Sequence, residues 1–369
     1  MMGIKLSDAI TEFDRDDWNA LFPGELENYD YVRATEEAGL EGFRWRYVSA
    51  EQNGKLVAAA PGFFSEYALD TTLTGLGRQI ISGLRRLAPG ALVLRLGCLG
   101  SPCTETALAG FAPELSAEAR RSALSAMLRA FDADARAHAC GLLAVKDVPA
   151  PQKPLWQAAL RPLGYRPTPG LPVAWLDISW ASLEEYLASL SAGTRKDMRR
   201  KLRARSAIRV ERRSNVDDVM EPLMALYADT HARADMQFEE LTPAYFRGVL
   251  SMARGAACSL YFAGDELLAA NLTLEDKDTL LDKFFFMNSA AGRAYNLYFL
   301  SWFENVGYCI KHGLKRYQSG QAGYANKLRL GSKLCHTEMY FRHRNPLISA
   351  ALQTAAPLFA GSLTGDAHP

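Results

Sequence analysis

One order of elements is used twice along this chain, and it limits the fold more than any single motif does. In each half a strand hairpin is followed by a long amphipathic helix, then a glycine, then a short strand that runs into a polar loop. The first copy closes with HACGLLAVKD and the second with YCIKHGLKRYQSG. The front copy carries an extra insertion before its helix. A strand–helix–strand run must bury one face against a sheet, so the repetition predicts two α/β units of similar build.

Local signals give the order its detail. Residues 16–40 read as helical. Strands at 45–48 and 55–64 flank Asn53-Gly54, a strong hairpin turn. Ser116 reads as an N-cap, and Leu124, Met127, Leu128, Phe131 and Ala135 beyond it share one helical face. The stretch 67–91 has no clear pattern. Pro167, Pro169, Gly170 and Pro172 mark a boundary, which divides the chain into domains at 1–170 and 171–345 with a tail at 346–369. In the rear half, strands are expected at 259–263, 266–274 and 279–287. A helix over 294–312 places Phe299, Trp302, Phe303, Val306 and Ile310 in phase. A further strand is expected over 335–341.

The chain has 369 residues, 49% hydrophobic and 22% charged, with net charge +1. That balance rules out a global field steering the molecule to nucleic acid or membrane. No run approaches the roughly 18 apolar residues of a membrane span, and the first residues do not read as a secretory signal. Six cysteines form no Cys-x-x-Cys pair, and Cys98 and Cys103, five apart, have no nearby histidine. They read as free thiols in a reducing cytoplasm, with no metal site.

The richest chemistry lies in KRYQSGQAGYANKLRLGSKLCHTEMYF, residues 315–341. Gly320 and Gly323 let the backbone turn close to a ligand. Tyr324 and Lys327 read as an acid and an anion clamp, supported by Gln321 and Arg329. In strand 279–287, alternation puts Asp282 on the apolar face of Leu280, Phe284 and Phe286. A carboxylate there is either used in chemistry or paired, to Lys327 or Arg329. Lys283, on the opposite face with Leu281 and Phe285, binds an anion or snorkels to water. Gly292, Arg293 and Asn296 precede the last long helix, a natural anion position. His231, between Thr230 and Arg233 at a helix end, is a base or a cap. Ten basic residues crowd positions 195–213. They form a solvated face or meet a phosphate-bearing partner such as coenzyme A, an acyl-carrier protein or tRNA. There is no G-x-S-x-G, Walker loop or H-E-x-x-H.

Several stretches carry a family likeness: Gly100-Ser101-Pro102, Lys146-Asp147, SLEEYLASLSAGTRKDMRRKLR, YADTHARADMQFEELTPAYF, LDKFFFMN and GYCIKHGLKRYQSGQAGYANKLRLG. Over roughly residues 15–345 the chain resembles GNAT-superfamily acyltransferases of the duplicated kind, the Fem-like and peptidoglycan-biosynthesis relatives. It departs from them at Tyr324-Ala325 and in a pyrophosphate loop reduced to Ala291-Gly292-Arg293. The resemblance implies an α/β (α+β) fold of tandem GNAT-like domains, with mixed central sheets flanked by helices. It also implies an N-acyltransferase that moves an acyl group from acyl-CoA or a carrier-bound thioester to a small-molecule amine. The alternatives are a Fem-like transfer from aminoacyl-tRNA and a non-catalytic binding protein. In the first reading Asp282, Tyr324 and Lys327 are catalytic. Lys283, Gln321, Arg329, Thr230, His231 and Arg233 meet substrate, and Gly292, Arg293 and Asn296 meet the cofactor.

Overall fold

A computed structural model describes residues 2–68, 93–234, 238–350 and 352–354. The unpatterned stretch 67–91 lies outside these residues from 69 onward. The front half supplies β1 (Met2–Ser7), α1 (Arg15–Ala20), α2 (Tyr29–Glu37), β2 (Phe43–Gln52) and β3 (Lys55–Ala68). It continues through β4 (Val93–Leu99), β5 (Gly110–Phe111), α3 (Ala117–Ala137), β6 (Leu142–Pro149), α4 (Lys153–Leu160) and β7 (Arg166–Pro169). The rear half opens with β8 (Val173–Asp177), α5 (Leu183–Ser189), α6 (Ala192–Lys201), β9 (Arg209–Arg213), α7 (Met220–Ala232) and α8 (Pro243–Met252). Then come β10 (Ala257–Ala263), β11 (Glu266–Glu275), β12 (Thr279–Met287), α9 (Ser289–Tyr295) and α10 (Leu297–His312). The last are β13 (Arg316–Gly320), α11 (Tyr324–Arg329), β14 (Lys333–Cys335) and β15 (Thr337–His343).

Strand order makes the duplication explicit. In the front sheet β1, β2, β3 and β4 pair antiparallel in sequence, and β4 pairs parallel with β6 across the crossover of α3. In the rear sheet β9, β10, β11 and β12 repeat that ladder, and β12 pairs parallel with β13 across α9 and α10. The fold is therefore the expected pair of mixed sheets flanked by helices.

The signals behind it are local. Asn53 and Gly54 both take positive φ, 54° and 74°, as the tight β2–β3 turn requires. Ser116 caps α3 by accepting from the Ala119 amide, and the expected apolar face of that helix is buried. Gly313 ends α10 in the left-handed conformation.

Three readings need correction. The helix expected over 16–40 is two helices, separated by the turn that carries Glu27. The strand expected over 335–341 is two strands in different sheets. Lys333–Cys335 pairs with β8, whereas Thr337–His343 pairs with β6 and β7 of the front sheet. Part of the span expected as the second domain thus completes the first sheet. The halves also share a core. Tyr31, Ala34 and Ala38 of the front pack with Tyr245, Phe246 and Val249 of α8, and the Tyr31 and Tyr245 hydroxyls lie 2.8 Å apart.

The third correction concerns faces. Thr273 opposes Asp282 and Leu272 opposes Phe284, so Lys283 has no partner and forms a β-bulge in β12. The bulge interrupts alternation. Asp282 faces α10 with Leu280, but Phe284 and Phe286 face the other side, against Tyr245 and Tyr227. Lys283 lies on that second side too, whereas Phe285 turns to Tyr298 of α10.

Candidate functional site

β12 and β13 pair only from Thr279–Leu281 to Arg316–Gln318, and beyond that the strands part. The loop after β4 fills the cleft from the other half. Gly100, at φ 118°, lets this loop leave the sheet against the Lys146 stem. Lys146 Nζ then holds it by donating to the carbonyls of Ser101, Pro102 and Thr104. The loop presents Cys103 O to Lys283 Nζ at 2.7 Å and Glu105 Oε2 to Gln318 Nε2 at 2.6 Å. A cavity of about 720 Å³ opens here, walled by both halves. Its sides include Phe63, Phe284, Phe285, Tyr298, Trp302 and Phe341.

Asp282 lines this cavity and pairs with neither Lys327 nor Arg329. Its carboxylate accepts from Tyr317 Oη at 2.7 Å, Asn271 Nδ2 at 2.6 Å and Asn305 Nδ2 at 3.4 Å. Burial raises its pKa, against the pull of those hydrogen bonds and of Lys327. Lys283 is buried and ion-paired to Glu27. Burial alone lowers its pKa, but Glu27 and Glu105 outweigh that and the net shift is upward.

Lys327 lines the cavity too, yet its ammonium is enclosed. It donates to the carbonyls of Ser319, Gly320 and Gln321, which pins the glycine turn. Burial pushes its pKa down to about 8, with Asp282 and Glu105 opposing. Gln321 bridges the halves by donating to Glu105 O at 3.2 Å and Leu171 O at 2.9 Å.

Other expected residues sit outside the cavity wall. Tyr324 donates to Pro172 O at 2.9 Å and fastens the boundary segment. Arg329 reaches Asp197 and Thr194 on α6. Arg233 donates to Met287 O at the end of β12. Thr230 bonds that same residue but does line the cavity, as does His231, whose ring lies against Tyr227.

The residues expected to hold a cofactor are not brought to the cavity. Gly292 packs on Met287, Arg293 is exposed, and Asn296 joins α9 to α10 at φ 54°. The amides at the start of α9 are already satisfied. Asp229 takes Ser289 N, the Asn288 side chain takes Ala290 N and Ala291 N, and Asn288 O takes Gly292 N. A pyrophosphate finds no open amides there.

The sequence does not single out Glu105, yet it is central. It is 8% exposed, and burial pushes its pKa up to about 7 despite nearby Lys283. Glu27, Asp147, Glu239, Asn271, Asn305 and Tyr317 are likewise absent from the expected set. A glutamate as the one charged residue in SPCTETALAG was the available signal.

This architecture is that of tandem GNAT-like proteins. FemX superposes with a TM-score of 0.60 at 13% identity, over 96% of this chain and 100% of that one. A tandem GNAT protein from the clavulanic acid biosynthesis pathway gives 0.53 at 12% identity, over 93% and 98%. At such identities the likeness shows the fold alone. The FemAB-like family, described by peptidoglycan biosynthesis and recognition, matches residues 103–355, and the chain belongs to it. Two Mycobacterium tuberculosis proteins, each named "Putative 8-amino-7-oxononanoate synthase 2", are 26% identical over 354 residues. The match covers 88% of this chain and 43% of theirs, so the chain spans less than half the length of these curated relatives. No helix among the described residues is long and apolar enough to cross a membrane.

Proposed function

We propose that the protein is an N-acyltransferase that moves an acyl group from a thioester to an amine in the cavity between its halves. The observation that carries this reading is Glu105, a buried carboxyl with a pKa near neutrality, held where β12 and β13 part. A general base works best when its pKa lies near the working pH. The amine arrives as an ammonium and gives a proton to the Glu105 carboxylate. Its nitrogen pair then attacks the thioester carbonyl carbon. The C–S bond breaks, the sulfur leaves as thiolate, and Glu105 returns the proton to it. The second proton, left on the acylated nitrogen, passes to the freed Glu105 carboxylate and on to water, which leaves a neutral amide. Gln318 and Gln321 hold Glu105 in place, and the aromatic walls take the acyl chain and exclude water. The name of the mycobacterial relatives, an amino-oxononanoate synthase, also fits chemistry on an amine attached to an aliphatic chain. The carrier of the thioester is not assigned to the start of α9, whose amides are spent.

The test is to supply purified protein with acyl-CoA and acyl-carrier thioesters of graded chain length plus a panel of amines, and to look for amide product by mass spectrometry. Product from charged tRNA alone would move the donor to the second reading, a Fem-like aminoacyl transfer. Family membership and the FemX-like fold favour that alternative. The basic run weakens it. Arg200, Lys201, Arg205, Arg209, Arg212 and Arg213 are already in ion pairs, and Arg195 caps the end of α5. A tRNA affinity that falls steeply with salt, and flattens when Lys196, Arg199 and Arg203 are neutralised, would restore it.

A further inference from the structure

The charges on the cavity wall are unbalanced in a way that bears on the acceptor. Three lysines line it, and none has an N–H donor left for a ligand anion. An ammonium has three donors. Lys146 spends all three on the carbonyls of Ser101, Pro102 and Thr104. Lys327 spends all three on Ser319, Gly320 and Gln321. Lys283 is neutralised by Glu27 and donates also to Cys103 O.

Four carboxylates, Glu105, Asp147, Glu239 and Asp282, line the same wall. Among the described residues none of them is in an ion pair. Glu105, Asp147 and Asp282 accept only from neutral donors: an amide side chain, a hydroxyl or a backbone N–H. Glu105 is 8% exposed, and among the described residues its side chain takes the Gln318 amide at Oε2. Lys327 reaches Asp282 and Glu105, and Lys146 reaches Asp147 and Glu239, only through space, and the four carboxylates outnumber the two wall lysines not paired to Glu27. Carboxylates removed from water with too little counter-charge are costly, and a cationic ligand offsets that cost. The aromatic walls described above add faces for a cation and area for an apolar body.

We infer that the acceptor is an ammonium carried on an apolar body, with no carboxylate or phosphate beside the nitrogen. The inference rests on the N-acyl reading and narrows its acceptor. A free amino acid would bring its own carboxylate against Glu105 and Asp282 with no lysine N–H left to meet it.

The test is calorimetric titration of the full chain at pH 7 with octylammonium, octanol and octanoate, which share one aliphatic body. Octylammonium is expected to bind tighter than octanol by about tenfold or more, the worth of a charge-assisted hydrogen bond, with octanoate weakest. Glu105→Gln and Asp282→Asn each should shrink the ammonium-to-octanol ratio and leave octanol unchanged. If one variant does not fold, the other carries the test. Octanoate or octanol binding as tightly as the amine would overturn the inference, and so would an unchanged ratio or no binding of the amine. These titrations need no donor. Acyl transfer fails separately, if an amine that binds is never acylated by any donor supplied.

Discussion

The two halves solve one problem with the same device and then put it to different uses. Each runs a strand, a long helix and a parallel strand, and each pins the polar loop at that sheet's end with a lysine that donates to three backbone carbonyls. In the front half the lysine is Lys146, on β6 itself, and the pinned loop is pushed outward with Glu105 at its tip. In the rear half the lysine is Lys327, on α11 beyond β13, and the pinned turn stays beside the open strands. The rear sheet also has the bulge at Lys283, which leaves Asp282 toward α10 and brings Phe284 onto the side of Lys283, toward the front half. A duplicated fold has thus made one copy the lender of a carboxyl and the other the cleft that receives it.

The largest expected effect tests that division. Glu105→Gln keeps the shape and the contact with Gln318 but removes the base. It should lower kcat/KM by about a hundredfold or more with little change in the folded fraction. Full activity in this variant would return the chemistry to the rear half alone. Asp282 bonds Tyr317, Asn271 and Asn305, so Asp282→Asn should cost less, on the order of tenfold. The paired comparison of Lys146→Ala with Lys327→Ala comes next. Each leaves three carbonyls without a donor and should destabilise by roughly 3 kcal/mol in denaturant unfolding. If Lys327→Ala instead lost activity at full stability, its ammonium would belong to the chemistry and the symmetry of the two clamps would break.

The duplication was legible because its signals are local. Helical phase, Asn53-Gly54, Ser116 and Gly313 each act within a few residues. Asp282 was visible for a similar reason, as a carboxylate in an apolar strand. The bulge that reassigns Phe284 and Phe286 was not, because it arises from pairing with β11 and not from β12 itself. The crossing of Thr337–His343 into the front sheet depends on partners nearly two hundred positions away. Glu105 escaped notice because a polar residue in a loop ordinarily faces water, and Lys327, expected to clamp an anion, clamps carbonyls instead, as Lys146 does. What makes these three different is burial, and burial here is a product of the halves coming together.

The pH dependence follows from the same burial. Glu105 holds its proton up to about 7 in the folded state, against an ordinary value of 4.5. Between those values the native chain binds more protons than the unfolded chain, so stability falls as pH rises from about 4.5 to 7 and then levels. Glu25, pushed up to about 7 by burial and by Glu27, contributes in the same direction. Activity runs the other way, since the base works unprotonated: kcat/KM should rise through about 7. Glu105→Gln should flatten both profiles, whereas Glu25→Gln should flatten only the stability profile. Identical slopes before and after Glu105→Gln would remove that residue from both roles.

The smallest effect separates the two helix starts. Ser116 caps α3 in the front half, and Asn288 caps α9 in the rear. Replacing either by alanine should cost about 1 kcal/mol in thermal or denaturant unfolding. Neither change should alter KM for a thioester donor if the start of α9 holds no phosphate. The informative result is a difference between them. In Asn288→Ala the amides of Ala290 and Ala291 lose their acceptor, and only there does a free helix start lie next to β12. A lower KM for acyl-CoA in that variant, absent for the same acyl group on a carrier protein and absent in Ser116→Ala, would mean that the Asn288 cap is what closes a phosphate site in the rear half. Equal KM values across all three proteins would leave the donor's carrier bound elsewhere, and would make the loss of that site a property of the whole α9 turn.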